Sequence, residues 1–283
     1  DLCRAAGRDW SQIDPSILGT LFERGLDPAK RSQLGAHYTD RAKIMMIVQP
    51  VIIDPLEAEW AKVKTVISAA MDRVTEARAR RPTKSSEAKK VYAAARRAEE
   101  AALREASAAH RGFIERLRGF RVLDPACGSG NFLYLALKEL KDIEHRANLD
   151  AETLGLTRLT PEVGPENVLG IELNPYAAEL ARVSVWIGEI QWMRRNGFEA
   201  ARNPILRPLD TIECRDAILA FDPSGKPIPA QWPQADVIVG NPPFKGSQKM
   251  IEELGERETL NIRTAWKKRL PGAPDLVCYW FAK

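Results

Sequence analysis

Residues 236–244 read Asp-Val-Ile-Val-Gly-Asn-Pro-Pro-Phe, a short β-branched run that ends at a glycine and passes directly into an amide, two prolines and an aromatic ring. Val237, Ile238 and Val239 are too few for a helix and apolar on both faces, which suits a buried parallel strand. Gly240 lets the backbone turn tightly where that strand stops. Asn241 is therefore expected at the carboxyl end of a strand, the edge of an open α/β sheet where ligands bind. Pro242 and Pro243 fix their own φ angles and remove two N–H donors, so their backbone can only accept hydrogen bonds. A planar amino group fits such a turn. If the Asn241 side-chain oxygen and the Pro242 carbonyl each accept one N–H, a lone pair otherwise delocalised into a ring is aimed at an electrophile. Positioned groups of this kind are worth roughly 10²–10³ in rate each. Phe244 adds a face for stacking, worth about 1–3 kcal/mol per base.

The same order of strand, turn and helix occurs upstream. Arg121-Val-Leu-Asp124 reads as a strand, Pro125-Ala126-Cys127-Gly128-Ser129-Gly130-Asn131 as a small-residue turn, and Phe132 to Leu140 as the start of a helix. Gly128 and Gly130 permit close approach of a ligand, and N–H groups at a helix start favour an anion such as a carboxylate. A second strand, Asn167 to Ile171, ends in Glu172 and is followed by Asn174-Pro175. A carboxylate there can accept both hydroxyls of a ribose. A third candidate strand, Leu209 to Cys214, leads to Asp216. The separation of Asp124 from Glu172 exceeds the roughly 20 residues of a dinucleotide fingerprint. We assign the excess to the helix and to a polar stretch, Asn148 to Pro165, expected as an inserted loop. The ligand is then expected to be an adenosyl compound other than a nicotinamide dinucleotide.

Taken in order, Asp124-Pro-Ala-Cys-Gly-Ser-Gly-Asn-Phe132, Gly170-Ile-Glu-Leu-Asn-Pro175 and Asn241-Pro-Pro-Phe244 resemble the S-adenosylmethionine-dependent DNA methyltransferases of the adenine-N6 kind. Within that group the chain is similar to the methyltransferase part of single-polypeptide type IIL restriction-modification enzymes. Leu34-Gly-Ala-His-Tyr-Thr39, followed by Ile44 to Val51, resembles the family's N-terminal cofactor motif. The resemblance implies an α/β, Rossmann-like class I methyltransferase sheet, represented here by its first four strands, with an inserted helical hairpin. It implies that Tyr38 and Thr39 close over the methionine end of S-adenosyl-L-methionine. The loop carrying Asp124, Ala126, Gly128 and Gly130 would hold the amino-acid moiety and sugar. Glu172 would bind the ribose hydroxyls, Leu173 would pack on the adenine ring, and Asp216 would accept the cofactor's exocyclic amine. Asn241, Pro242, Pro243 and Phe244 would grip the target amine. Cytosine N4, RNA and a protein glutamine amide present the same kind of nitrogen, and a catalytically silent DNA-binding subunit keeps the same fold; all four stay open as alternatives.

Composition narrows the setting. A chain of 283 residues with 45% hydrophobic content can bury one full core and part of a second module. No stretch approaches the ~18 uninterrupted apolar residues of a membrane span. The four cysteines show no Cys-x-x-Cys pairing, which points away from a zinc site or disulfide framework and towards a reducing cytoplasm. No Pro-Cys dipeptide is present, against a cytosine-C5 nucleophile.

The net charge of +4 is concentrated in residues 57–119, which hold 15 Lys and Arg against 9 Asp and Glu. There Trp60, Val63, Ile67, Met71 and Val74 recur at helical spacing, and Arg81-Pro82-Thr83-Lys84-Ser85 breaks the pattern. A second helix is expected from about Ser86 to Leu117, with a stripe through Ala95, Ala98, Ala102, Ala106, Ala109, Phe113 and Leu117. The two would form an antiparallel hairpin, read either as a basic arm for DNA phosphates or as a solvated spacer. The expected organisation is an N-terminal helical segment with the cofactor motif (1–56), the hairpin (57–119) and the Rossmann-like core (120–283). Both chain ends are expected to lie inside a longer polypeptide. The partners then expected are double-stranded DNA, three further strands and a target-recognition domain of the same polypeptide, and in some arrangements a nuclease domain.

Overall fold

The computed structural model describes residues 39–81, 88–198 and 208–283, together with Ile17. Contacts divide these into two compact units, and each is described by itself. One holds 39–48, Arg121–Lys138 and Pro165–Lys283; the other holds Gln49–Phe120 and Glu139–Gly164.

The first unit is built on four parallel strands: β1 (Val122–Asp124), β2 (Val168–Glu172), β3 (Ile212–Cys214) and β6 (Val237–Ile238), in the order β3-β2-β1-β6. All three residues of β1 are buried, as are the first four of β2, which is why both read as unbroken apolar runs. Val122 pairs with Val168 on one side and Val237 on the other, so Asp124, Glu172 and Asn241 all emerge at the carboxyl edge. A turn after β1 leads into α4 (Asn131–Thr153), and α5 (Pro175–Arg195) follows β2. The start of α5 is set by local chemistry. Asn174 is its N-cap, accepting from the N–H groups of Tyr176 (2.9 Å) and Ala177 (3.2 Å), and Pro175 takes the first helical position.

Between β3 and β6 lies an antiparallel pair, β4 (Leu219–Phe221) with β5 (Pro227–Pro229), which the sequence reading did not anticipate. Helices α6 (Ser247–Leu254) and α7 (Glu256–Trp266) and the short α8 (Cys278–Phe281) share a core with this hairpin. Ile218, Leu219, Met250, Ile262, Trp266 and Tyr279 are all buried there, and the Trp266 indole N–H donates to the Ile218 carbonyl at 2.8 Å. The residues after the Asn-Pro-Pro-Phe segment thus form a wall beside the sheet edge.

The second unit is dominated by two long helices, α2 (Asp54–Ala79) and α3 (Ala88–Gly119). Helix α1 (Arg41–Val48) belongs to the first unit, and a π-helical turn, Gln49–Ile53, containing Pro50 precedes α2. Leu56, Trp60, Ile67, Ala70, Val74 and Ala77 are the buried residues of α2; with half-buried Val63 they alternate steps of four and three, the seam of a two-helix coiled coil. The ion pairs Arg116–Glu59, Arg73–Glu105 and Arg78–Glu99 climb α2 as they descend α3, so the helices are antiparallel. The expected alanine stripe needs correction at two positions. Ala98 is exposed and Ala109 only half-buried, while Glu99 and His110 are buried in the seam. A carboxylate survives at position 99 because both Arg78 and Arg81 bond it. Trp60 packs against Phe113 with centroids 5.0 Å apart and the rings tilted by 38°, and it donates its N–H to Asp150 at 2.8 Å.

The stretch Asn148 to Pro165 is not all loop: α4 continues to Thr153. The rest is tied to that helix by polar side chains. Asn148 accepts from the Leu159 N–H (3.0 Å), Glu144 from the Glu162 N–H (2.6 Å), and Lys141 donates to the Val163 carbonyl (2.8 Å). Polarity that reads as solvent exposure is here spent on satisfying loop backbone. Among the described residues no helix is long and apolar enough to cross a membrane.

Candidate active site

Asp124 ends β1 and is 1% exposed. Its carboxylate accepts the Ala126 N–H at 3.0 Å, and among the described residues it has no cationic partner. Burial pushes its pKa up to about 7; the Ala126 bond opposes the rise and the charge of Glu172 adds to it. The turn that follows is glycine-dependent at one point above all. Gly130 has φ +85°, and a Cβ there would lie 2.9 Å from the Ala181 backbone, so only glycine lets α4 begin against α5. Above Gly128 the space is open. Burial raises the Cys127 thiol, which keeps it protonated between the glycines and β2 and makes it unsuited to nucleophilic work.

Glu172 ends β2 and stitches two turns together. One carboxylate oxygen accepts the Gly128 N–H at 2.9 Å and the other the Asn174 N–H at 2.8 Å. Burial raises its pKa while these backbone donors pull it down. Each oxygen keeps a further lone pair for a ligand. Leu173, next along, is 61% exposed. Asp216 caps the entry to β4, its Oδ1 accepting from the N–H groups of Ile218 (2.7 Å) and Leu219 (3.0 Å).

These groups surround one cavity of about 150 Å³, framed by Ala126, Glu172, Leu173, Asp216, Pro243 and Trp280. Its walls are mostly apolar, and the charged residues on them are Glu172, Asp216, Glu258, Arg215 and Lys245.

The Asn241 loop reaches the same edge. The Val239 N–H donates to the Leu123 carbonyl at 2.9 Å, which carries the ladder to the last residue before the turn. Gly240 has φ +154°, and a Cβ on it would come within 2.4 Å of the Asp124 carboxylate, so the loop lies directly on Asp124. Asn241 is exposed and its amide nitrogen donates to the Thr39 hydroxyl at 3.3 Å, while among the described residues no donor meets its amide oxygen. Pro242 and Pro243 are half-buried, and Phe244 is 70% exposed. Beyond it, Lys245 is buried and paired with Glu253, and its carbonyl accepts the Leu276 N–H at 2.8 Å, which anchors the loop's exit.

The structure therefore lines one cavity with Ala126, Glu172, Leu173, Asp216 and Pro243, places Asp124 under Gly240 outside that lining, ties Gly128 to Glu172, and brings Thr39 to Asn241 across 202 positions of sequence; Gly130, Asn241, Pro242 and Phe244 do not line the cavity. Tyr38 lies outside the described residues. Among the cavity residues that went unnoticed in the sequence are Lys245, Glu258 and Trp280. The Trp280 indole N–H donates to the Pro125 carbonyl at 3.3 Å. A tryptophan two residues past Cys278 was a visible signal, but nothing local shows that it faces the glycine turn.

A family model described as the MmeI DNA-methyltransferase domain matches residues 99–283. The chain belongs to this family. It is similar to DNA methyltransferase A of Bacillus subtilis (strain 168), with 29% identity over 251 residues, covering 87% of this chain and 24% of that protein. It is also similar to the putative type II restriction enzyme and methyltransferase RM.MjaORFECS2P of Methanocaldococcus jannaschii, with 25% identity over 201 residues, 67% of this chain and 15% of the relative. The solved structure of the type IIL restriction-modification enzyme MmeI in complex with DNA superposes with a TM-score of 0.62 at 24% identity, covering 97% of this chain and 31% of that one. That likeness establishes the fold, a Rossmann-like methyltransferase sheet. The chain spans about a quarter of the length of the Bacillus relative.

Proposed function

We propose that this chain is the cofactor- and amine-binding part of a DNA methyltransferase that transfers a methyl group from S-adenosyl-L-methionine to the N6 amine of adenine, within a restriction-modification polypeptide. The observation that carries the reading is the placement of Asn241. Among the described residues nothing donates to its amide oxygen, its loop rests on Asp124, and both lie at the edge shared with Glu172. The cavity suits an adenosyl ligand: carboxylates for ribose hydroxyls and an exocyclic amine, an exposed leucine for a flat ring, and open space above Gly128. When bound, S-adenosylmethionine supplies an electrophilic methyl group on a sulfonium.

The chain's own residues do the rest. Glu172 accepts from the ribose, Leu173 covers the adenine, and Asp216 receives its amine. Asp124 and Thr39 stand at the methionine end, with Tyr38 beside Thr39 in sequence. A target adenine is rotated out of the duplex and stacks on Phe244, which already faces solvent and needs no rearrangement. Asn241 and the Pro242 carbonyl accept its two N–H groups and Pro243 stiffens the turn, so the nitrogen is aimed at the methyl carbon, whose bond to sulfur would break as the carbon–nitrogen bond forms, leaving a neutral thioether. The proton released from the methylated amine passes to solvent, because none of the gripping groups is a base. Asn at the first position of Asn241-Pro-Pro-Phe244 and Phe at the fourth favour adenine over cytosine N4.

Tritiated methyl transfer by the full polypeptide onto unmethylated DNA, RNA and protein in one panel tests the proposal. Label in DNA adenine that disappears in Asn241→Ala is expected. Label in RNA or in protein glutamine would reassign the substrate.

A further inference from the structure

The outer face of α3 carries a regular series of cations. Lys90, Arg97, Arg104, Arg111 and Arg118 are spaced by seven residues each, and all five are exposed. In a helix packed at a 3.5-residue period, positions seven apart stay on one line, about 10.5 Å between steps at 1.5 Å rise per residue. The seam of the coiled coil runs through Ala95, Glu99, Ala102, Ala106 and Phe113. Against that seam the series occupies the position farthest from α2.

The neighbouring arginines behave differently. Arg73, Arg78, Arg96 and Arg116 are each paired with a glutamate. Arg118 is paired with Glu162. Among the described residues no acid stands within ion-pair distance of Lys90, Arg97, Arg104 or Arg111. Glu100, the acid between Arg97 and Arg104, is taken by Arg96 at 2.8 Å. Ser107 and Ala108, between Arg104 and Arg111, and Gly112, just beyond Arg111, line a shallow groove, so a bulky backbone can approach the guanidinium groups over small residues. Glu115 is the acid lining that groove.

We infer that this series is a contact track for the phosphate backbone of duplex DNA. Its partner must be a long, rigid polyanion, because the charges repeat along a straight line from position 90 to 111. Three of the four unpaired members are arginine, whose planar fork binds phosphate through two parallel bonds. The contact is independent of base sequence, and it rests on the reading of DNA as the substrate. It is measured without cofactor or methylation, so it can fail while that reading stands.

The test is fluorescence anisotropy of the full chain on a 30-base-pair duplex of arbitrary sequence, from 50 to 200 mM salt. Arg97→Gln/Arg104→Gln/Arg111→Gln is compared with Arg73→Gln/Arg80→Gln/Arg96→Gln, an equal loss of charge from paired positions of the same unit. Gln keeps helix propensity, and far-ultraviolet circular dichroism checks that both variants fold. Each phosphate contact contributes about 0.9 to the slope of log K against log salt, so the first variant should lose about 2.7 from that slope and the second much less. Equal slopes for the two variants, or no measurable binding by the parent chain at 50 mM salt, would overturn the inference. A wild-type slope unchanged in the first variant would point instead to an acidic protein partner for this face.

Discussion

Asp124 makes cofactor affinity depend on pH in a calculable way. In the unliganded site its pKa stands at about 7, held there by burial without a cation. A ligand carrying a sulfonium and an ammonium group stabilises the carboxylate and lowers that pKa. If it falls below pH 5 on binding, the protein must give up a proton that it holds at low pH. Affinity for S-adenosylmethionine should then be about 30-fold weaker at pH 5.5 than at pH 8.5, a difference of about 2 kcal/mol. At pH 7 about half a proton should be released per ligand bound. Isothermal titration in buffers of different ionisation enthalpy reads both quantities. Glu172, also raised by burial, acts in the same direction, so Asp124→Asn should remove most of the dependence and leave a remnant. The unliganded protein should show the opposite trend in stability. A carboxylate whose folded pKa lies above its unfolded value of 3.8 binds more protons when folded, so its contribution is full below pH 3.8 and is lost as pH rises to about 7. Affinity constant across pH 5.5 to 8.5, or an undiminished pH dependence in Asp124→Asn, would refute the reasoning.

Three substitutions probe other parts of the account. Gly240→Ala puts a methyl group 2.4 Å from the Asp124 carboxylate on a backbone that only glycine adopts readily; it should cost about 1–3 kcal/mol in thermal or denaturant unfolding and lower methyl transfer by about 10²-fold through displacement of Asn241. Phe244→Ala should leave stability within about 0.5 kcal/mol, since the ring is solvent-exposed, but weaken capture of an extruded base, read by the fluorescence of a 2-aminopurine target, by about 1–3 kcal/mol. Glu99→Ala leaves Arg78 and Arg81 facing each other without an acceptor. Both arginines are partly solvated, so the loss in hairpin stability should be about 1–2 kcal/mol by chemical denaturation, with methyl transfer rates little changed.

The centre of the sheet was readable because β1 and β2 are buried on both faces, whereas the expected burial of β6 fails: as an edge strand it leaves Val237 half-buried and Ile238 57% exposed. Val122-Leu123 and Val168-Leu169 could be picked out as unbroken apolar pairs, and each ends at a carboxylate and a turn-forming residue. The β4–β5 pair was invisible for an opposite reason: its partners, Leu-Ala-Phe and Pro-Ile-Pro, carry no alternation, and the pairing depends on Asp216 bending the chain and on Trp266 packing behind it. Residues Asn148 to Thr153 misled because Asn148 and Glu144 look like loop polarity yet serve as internal acceptors for a loop that returns to them. The alanine stripe misled in the same way: it was drawn through Ala98, whereas the seam position is the charged Glu99. At the site, the identities of Asp124, Glu172 and Asn241 came from the sequence, but the Gly240–Asp124 approach and the Thr39–Asn241 bond are tertiary facts. No spacing rule reports them.

The central claim is that Asn241 acts on the target nitrogen and not on the cofactor. Single-turnover methylation by the full polypeptide, with the S-adenosylmethionine dissociation constant measured in parallel, tests it for Asn241→Ala. The account predicts a rate lower by about 10²–10³ with the dissociation constant changed by less than about threefold. A rate that survives the substitution, or a loss explained wholly by weaker cofactor binding, would contradict it.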